Sequence, residues 1–336
     1  MSYLQAGVIG LLQGVTELFP ISSLGHSVLV PAWIGGSWSH LVTESSSTTS
    51  EESPYLAFIV ALHVATALAL VGFFRRDWVR IITALIRTLR TRRIEDSTER
   101  LAWLLVVATI PVGVTGLLLE HAFRTIFAKP LAASIFLTVN GLILLGAEQL
   151  RRRAELAPQT ANALVRVGAG GDESSAYAME GDSALYADAG RAGTAHAGGG
   201  AIAQANSRKL ETFGFKEAGI IGVFQTLALL AGISRSGVTM AGGLLRGLNH
   251  EDAAKFSFLL ATPVILAAGV LKAPTLAGSA GSHIHGQIVV GFLTAGIAAW
   301  FAVRFLTRYF TTRTLTPFAL YCLIGGVVSI AWFANH

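Results

Sequence analysis

The chain carries little charge and almost no cysteine. Asp, Glu, Lys and Arg make up 13% of its 336 residues, where soluble domains carry about a quarter. So few charges exclude a disordered chain and a coiled coil, and they argue against a soluble enzyme. The one cysteine, Cys322, stands in an apolar run, which excludes a disulfide framework and a cysteine-ligated zinc site. The segment before residue 20 lacks a basic start, so no secretory signal peptide is expected. What abounds is apolar. Hydrophobic residues reach 52%, and mean hydropathy is +0.58. This composition predicts a polytopic helical membrane protein. A net charge of +5 suggests nucleic acid until the charges are located. They sit at the ends of apolar runs, where membrane orientation signals sit, so no nucleic-acid partner is expected.

Six apolar stretches are long enough to cross a bilayer core of about 30 Å, roughly 54–74, 101–119, 130–150, 253–273, 286–306 and 314–334. They do not alternate polar and apolar residues as barrel strands would, so helices must satisfy their backbone groups. Two more segments are apolar but broken, at about 4–34 and 214–247. Each half is too short to span, and a helix–loop–helix dipping into the membrane fits both. Residues 75–100 read as a loop with eight arginines against four acids. Arg151, Arg152 and Arg153, and then Arg304, Arg308 and Arg313, mark two further basic regions. All three are expected on the cytoplasmic side. The loop at 36–53 has three glutamates and no Lys or Arg, so it is expected outside.

The broken segments resemble each other. A shift of 212 residues lays 7–25 on 219–237 with eight of 19 positions identical, among them Gln13 on Gln225 and Ser22 on Ser234. The expected fold is all-α integral membrane, an inverted-topology repeat with six transmembrane helices plus two re-entrant helix–loop–helix segments. Residues 1–150 form the first repeat and 213–336 the second. Residues 151–212 hold nine glycines between 168 and 200 and read as a flexible cytoplasmic linker rich in Ala, Gly and Ser.

The polar residues of the two tips carry the chemistry. In the first, Gln13 and Glu17 lie four apart, on one face of a helix. A carboxylate inside the membrane is costly, so Glu17 needs a partner or a wet cavity. Ser22, Ser23 and His26 follow within ten residues. A serine, a histidine and a carboxylate form a nucleophile–base set, or the histidine is itself the nucleophile. A packing cluster with satisfied hydrogen bonds is the structural alternative. In the second tip Arg235 stands between Ser234 and Ser236, with Gly237 and Thr239 behind. An arginine fork matches phosphate oxygens, and a glycine turn before a helix N-terminus presents amides to an anion. Arg235 also has the charge to neutralise Glu17, and the two roles are compatible. His63 and Asn140 lie inside spans and read as satisfied core residues ahead of pore-lining groups.

Gln-Gly-Val-Thr-Glu-Leu-Phe-Pro-Ile-Ser-Ser-Leu-Gly-His at 13–26 resembles the first signature of the undecaprenyl-diphosphate phosphatase family of the bacitracin-resistance type. Ala-Gly-Ile-Ser-Arg-Ser-Gly-Val-Thr at 231–239 resembles its second, and Phe256–Pro263 and Ala108–Pro111 resemble further stretches. The resemblance covers both halves and leaves out 151–212. It implies a bacterial plasma-membrane enzyme whose site opens to the outer face. The implied reaction converts undecaprenyl diphosphate to the monophosphate carrier lipid for peptidoglycan and other envelope polymers. The expected partners are the bilayer, the polyprenyl diphosphate and a second copy in a homodimer. By position, Glu17, Ser22, Ser23 and His26 match the first motif, and Ser234, Arg235, Ser236 and Thr239 the second. Gln13 stands where many members have a glutamate, Leu24 where threonine is common, and Ala231 where proline is.

The mechanism expected from these residues is phosphoryl transfer. Arg235 and the groups of 234–239, with Gln13 and Ser22, hold the phosphates. His26, ahead of Ser23, attacks or activates water. Glu17 orients it or helps hold a divalent cation, Mg or Ca. A lipid transporter also uses inverted repeats, but it predicts translocation without phosphate release. An acid-phosphatase-type membrane enzyme needs a Lys-x6-Arg-Pro segment, which does not occur at suitable spacing.

Overall fold

In a computed structural model, residues 1–41, 54–127, 129–169, 210–277 and 284–335 are described, and all regular structure among them is helical. The first broken segment is α1 (Tyr3–Thr16) and α2 (Ser23–Ile34). Then come α3 (Pro54–Phe73), α4 (Arg75–Thr91), α5 (Ser97–Phe127) and α6 (Pro130–Ala169). The second broken segment is α7 (Phe215–Thr226) and α8 (Arg235–Leu245). The chain closes with α9 (His250–Ala277), α10 (His285–Tyr309) and α11 (Thr316–Asn335).

Residues Met1–Glu148 and Arg208–His336 form one compact unit, and Gln149–Ser207 a second. In the second unit α6 continues to Ala169, so the first part of the expected linker is helical. The glycine-rich remainder, 170–209, lies outside the described residues. So do Glu44, Glu51 and Glu52 of the acidic loop.

Among the described residues five helices, α5, α6, α9, α10 and α11, are long and apolar enough to cross a membrane. A sixth span arises if α3 is counted with α4, which turns from it by 88°. Large apolar side chains such as Leu118, Val270, Phe301 and Ile324 face outward. In water such surface would aggregate; against hydrocarbon it is the stable arrangement.

Residues 75–91, expected as part of a basic loop, are a helix instead. Ile81, Ala84 and Thr88 are buried while Val79, Ile82, Ile86 and Leu89 are exposed. Both sets recur at helical spacing, so the period was present beneath the charges. Asp77 in the first turn and Arg90 in the last complement the helix dipole. Arg87 pairs with Asp96 and Glu99, linking α4 to the start of α5. The Glu99 amide donates to Asp96 at 2.8 Å. That bond is the main reason the Asp96 carboxyl sits below its ordinary range, with Arg87 adding to it.

The 212-residue offset recurs in the helices. Tyr3 and Phe215 begin α1 and α7; Ser23 and Arg235 begin α2 and α8. Each first helix packs on a span of the other half, α1 on α10 and α7 on α5. Glycines make this approach possible. A Cβ at Gly14 would lie 2.6 Å from Ala298 Cβ and 2.9 Å from the Ala299 nitrogen, and one at Gly222 would lie 2.6 Å from the Ala108 carbonyl oxygen. Gly14→Val is therefore expected to destabilise the protein by about 1–3 kcal/mol through overpacking. Thermal unfolding in detergent checks this, and an unchanged midpoint would contradict so tight a contact.

Candidate active site

The first tip is shaped by Pro20. A proline disfavours helical backbone at the preceding residue and donates no hydrogen bond, so α1 ends with Glu17 at its C-cap. The chain re-enters a helix at Ser23, where Ser22 is the N-cap and its Oγ accepts from the Gly25 amide at 3.2 Å. Ser22 has φ 70°, a left-handed conformation that non-glycine residues adopt mainly under local constraint. Here the constraint is visible. Its Oγ also accepts from the Gly232 amide of the second tip at 3.2 Å. Gly232, at φ 114°, leaves no space for a side chain, since a Cβ would stand 2.7 Å from the Leu137 nitrogen. The second tip repeats the device: Ser234 caps α8, and its Oγ accepts from the Gly237 amide at 3.1 Å.

Asn140 of α6 joins the two tips. Its Nδ2 donates to the Pro20 carbonyl at 3.1 Å, and its Oδ1 accepts from the Ser234 amide at 3.0 Å. It is a fully buried and satisfied residue, as expected, and its partners are the backbones of both functional loops.

The first residues of α2 and α8 meet at one carboxylate. Ser23 Oγ donates to Glu17 Oε2 at 2.5 Å, and the Arg235 guanidinium pairs with Glu17 Oε1. Gln13 Nε2 donates to Oε2 at 2.9 Å. His63 of α3, a residue expected in the core, places Nε2 3.3 Å from the same Oε2. Glu17 is buried yet surrounded by donors from four helices. The buried charge is thus compensated. Ser23 and Arg235 each open a helix whose leading amides have no acceptor within it, and the Ser22 and Ser234 caps take those of Gly25 and Gly237. Among the described residues Arg235 Nη1 is buried with no hydrogen-bond partner. An orphaned guanidinium donor on the first residue of a helix fits an incoming phosphate oxygen.

The other expected residues point elsewhere. His26 is buried, with Nδ1 2.6 Å from the Ser22 carbonyl oxygen and Nε2 2.8 Å from the Tyr321 hydroxyl. The carbonyl only accepts, so Nδ1 carries the proton and Nε2 accepts from Tyr321. Both ring nitrogens are engaged away from Glu17. Ser236 Oγ lies 3.0 Å from Ser234 Oγ and 3.5 Å from the Glu17 and Phe19 carbonyl oxygens. Thr239 donates to backbone within α8 and meets Ser257 Oγ of α9. Ser22, Ser234 and Gly237 serve the caps. Tyr321 carried no signal in sequence, standing in an apolar run. His63 carried one, since an ionisable group inside a span is a site candidate by default.

The donor set fits a divalent cation poorly. Hard cations take several oxygen ligands, usually with more than one carboxylate. Here one carboxylate stands beside two basic side chains, and its oxygens already hold four donors. Among the described residues no group of three or more His, Cys, Asp or Glu could hold a metal.

The family model for bacitracin resistance protein BacA matches residues 6–170 and 184–328. The match runs through most of 151–212, which was expected to stand outside the resemblance. The chain is 62% identical over 338 residues to undecaprenyl-diphosphatase 2 of Frankia alni, covering 99% of this chain and 98% of the relative. It is 50% identical over 334 residues to the undecaprenyl-diphosphatase of Mycolicibacterium paratuberculosis, again covering 99% and 98%. A third relative, the undecaprenyl-diphosphatase of Granulibacter bethesdensis, is 38% identical over 343 residues, covering 99% and 97%. With five to six apolar helices of membrane-spanning length among the described residues, and with similarity across nearly its whole length, this multi-pass membrane protein belongs to the BacA bacitracin-resistance family.

Proposed function

We propose that the protein hydrolyses undecaprenyl diphosphate to undecaprenyl phosphate and inorganic phosphate, recycling the lipid carrier for cell-wall synthesis and conferring bacitracin resistance. One observation carries the mechanism: a serine hydroxyl and an arginine, each opening a helix, meet at one buried carboxylate. Arg235 turns from Glu17 to the terminal phosphate, where its unpartnered Nη1 gains an acceptor. The leading amides of α2 and α8 add to the cradle. Glu17 accepts the Ser23 proton while Ser23 Oγ attacks the terminal phosphorus. The bond to the bridging oxygen breaks, and undecaprenyl phosphate leaves with the electron pair. Glu17 gives that proton up to the departing lipid phosphate and is a carboxylate again; water then attacks the phosphoserine, its proton passing to Glu17 and from there to Ser23 Oγ as inorganic phosphate departs. This reverses the expected order of His26 and Ser23. His26 instead fixes the backbone of Ser22 and the start of α2.

The same reading extends to architecture. The paired tips form an inverted repeat of two re-entrant hairpins, supported by helix starts and serine caps recurring at one offset. The protein sits in the bacterial plasma membrane, with its basic regions inside and the site opening outward. A homodimer remains part of this reading. The apolar exterior suits a long isoprenoid substrate.

The test is release of inorganic phosphate from a prenyl diphosphate by the purified protein in detergent. Stoichiometric phosphate and prenyl monophosphate are expected. Lipid movement in vesicles with no phosphate release would favour a transporter and overturn the enzyme reading.

A further inference from the structure

His63 has no role in the steps above, yet it is one of the two basic side chains on Glu17. Its ring state follows from its neighbours. Nδ1 lies 2.8 Å from the Ile59 carbonyl oxygen, and Nε2 lies 3.3 Å from the Glu17 carboxylate. The Ile59 carbonyl only accepts, so Nδ1 carries a proton, and Nε2 stands at ion-pair distance from a carboxylate, the surroundings that favour an imidazolium. Its side chain is 25% exposed, far more open than that of Glu17 at 5%.

Arg235 faces two demands. In the empty site it neutralises Glu17; with substrate bound it must serve the phosphate. A buried carboxylate abandoned by its only cation would be strongly destabilised, and it would retake a proton and fail as a base. Gln13 and Ser23 donate hydrogen bonds to Glu17 but bring no charge. We propose that His63 is the positioning residue that keeps Glu17 a carboxylate, aimed at Ser23, when Arg235 moves to the substrate's terminal phosphate. Gln13 fits this arrangement. A second carboxylate at that position would compete for His63, whereas the amide adds a donor to Glu17 alone.

This inference rests on the phosphatase reading, and the experiment separates the two. If the wild-type protein releases no phosphate, the reading fails. With an active wild type, His63→Gln and His63→Lys are compared by steady-state kinetics. His63→Gln is expected to lower kcat about 30–100-fold with KM changed less than about threefold, since the lost charge acts on the base and not on the phosphate. His63→Lys, which keeps a cation, is expected to return kcat to within about fivefold of wild type. A structural role predicts the reverse order, because Gln is the gentler replacement. A His63→Gln enzyme with unchanged kcat, or a Lys variant no better than Gln, overturns the proposal. Should His63→Gln fail to fold, ¹⁵N-histidine spectra of the wild-type protein at pH 8 decide. A doubly protonated ring that is lost in Glu17→Gln supports the assignment. Nine neutral rings, or a set of charged rings that is unchanged in Glu17→Gln, overturn it, the His250 ring beside Glu148 being the internal control.

Discussion

Arg235→Ala is expected to lower kcat/KM for a prenyl diphosphate by about 10³-fold or more, the scale seen where an arginine stabilises phosphoryl transfer. Two effects combine. The transferring phosphate loses its planar fork of donors, and one of the two positive side chains leaves the site. Arg235→Lys is expected to recover only part of the loss, because an ammonium cannot bridge two oxygens. Folding should survive, since Gln13, Ser23 and His63 still hold Glu17. The measurement is therefore kinetics beside a thermal transition in detergent. A variant that keeps more than about a tenth of the native kcat/KM would mean that Arg235 serves mainly as a structural partner of Glu17.

Ser23→Ala is the second large effect. Removing a nucleophile costs about 10⁴–10⁶ in kcat where the group forms the covalent intermediate. His26→Gln is expected to cost far less, about 10–100-fold, by loosening the start of α2. The ordering discriminates between the two residues, because a histidine nucleophile predicts the opposite. Rapid quenching with substrate labelled on its terminal phosphate gives a direct readout. Label stable to acid is expected on Ser23, whereas acid-labile label on His26 would transfer the nucleophile's role to the histidine. The geometry already separates the two. Ser23 Oγ touches Glu17, while His26 Nε2 is 2.8 Å from Tyr321 and Nδ1 is 2.6 Å from the Ser22 carbonyl oxygen.

Much of the fold was legible because its signals are local. Apolar runs longer than a bilayer is thick needed only counting, and the two broken segments announced themselves by Pro20 and by Gly232. The helix at 75–91 was obscured by its own arginines, although Ile81, Ala84 and Thr88 keep a helical period. The tip residues were also legible. Glu17 and Arg235 are ionisable groups inside apolar segments, and such groups need a reason.

What each residue touches was another matter. Arg235 reaches Glu17 across 218 residues, and Tyr321 reaches His26 across 295. No local period encodes such a pairing; it depends on which helices cross and at what height. The same holds for the His63 ring, which finds the Ile59 carbonyl in its own helix but meets Glu17 only across 46 residues.

By itself, then, the sequence determined that this chain lives in a membrane, builds helices, and carries two related polar tips holding a carboxylate, serines, a histidine and an arginine. Composition and spacing suffice for that, because hydrophobic partition and helical period act over a few turns of chain. The tertiary structure alone decided that the carboxylate is the common acceptor of Gln13, Ser23, His63 and Arg235, and that His26 turns to Tyr321. Hydrogen bonds and ion pairs are made at about 3 Å, and only the packing of distant helices brings groups that close.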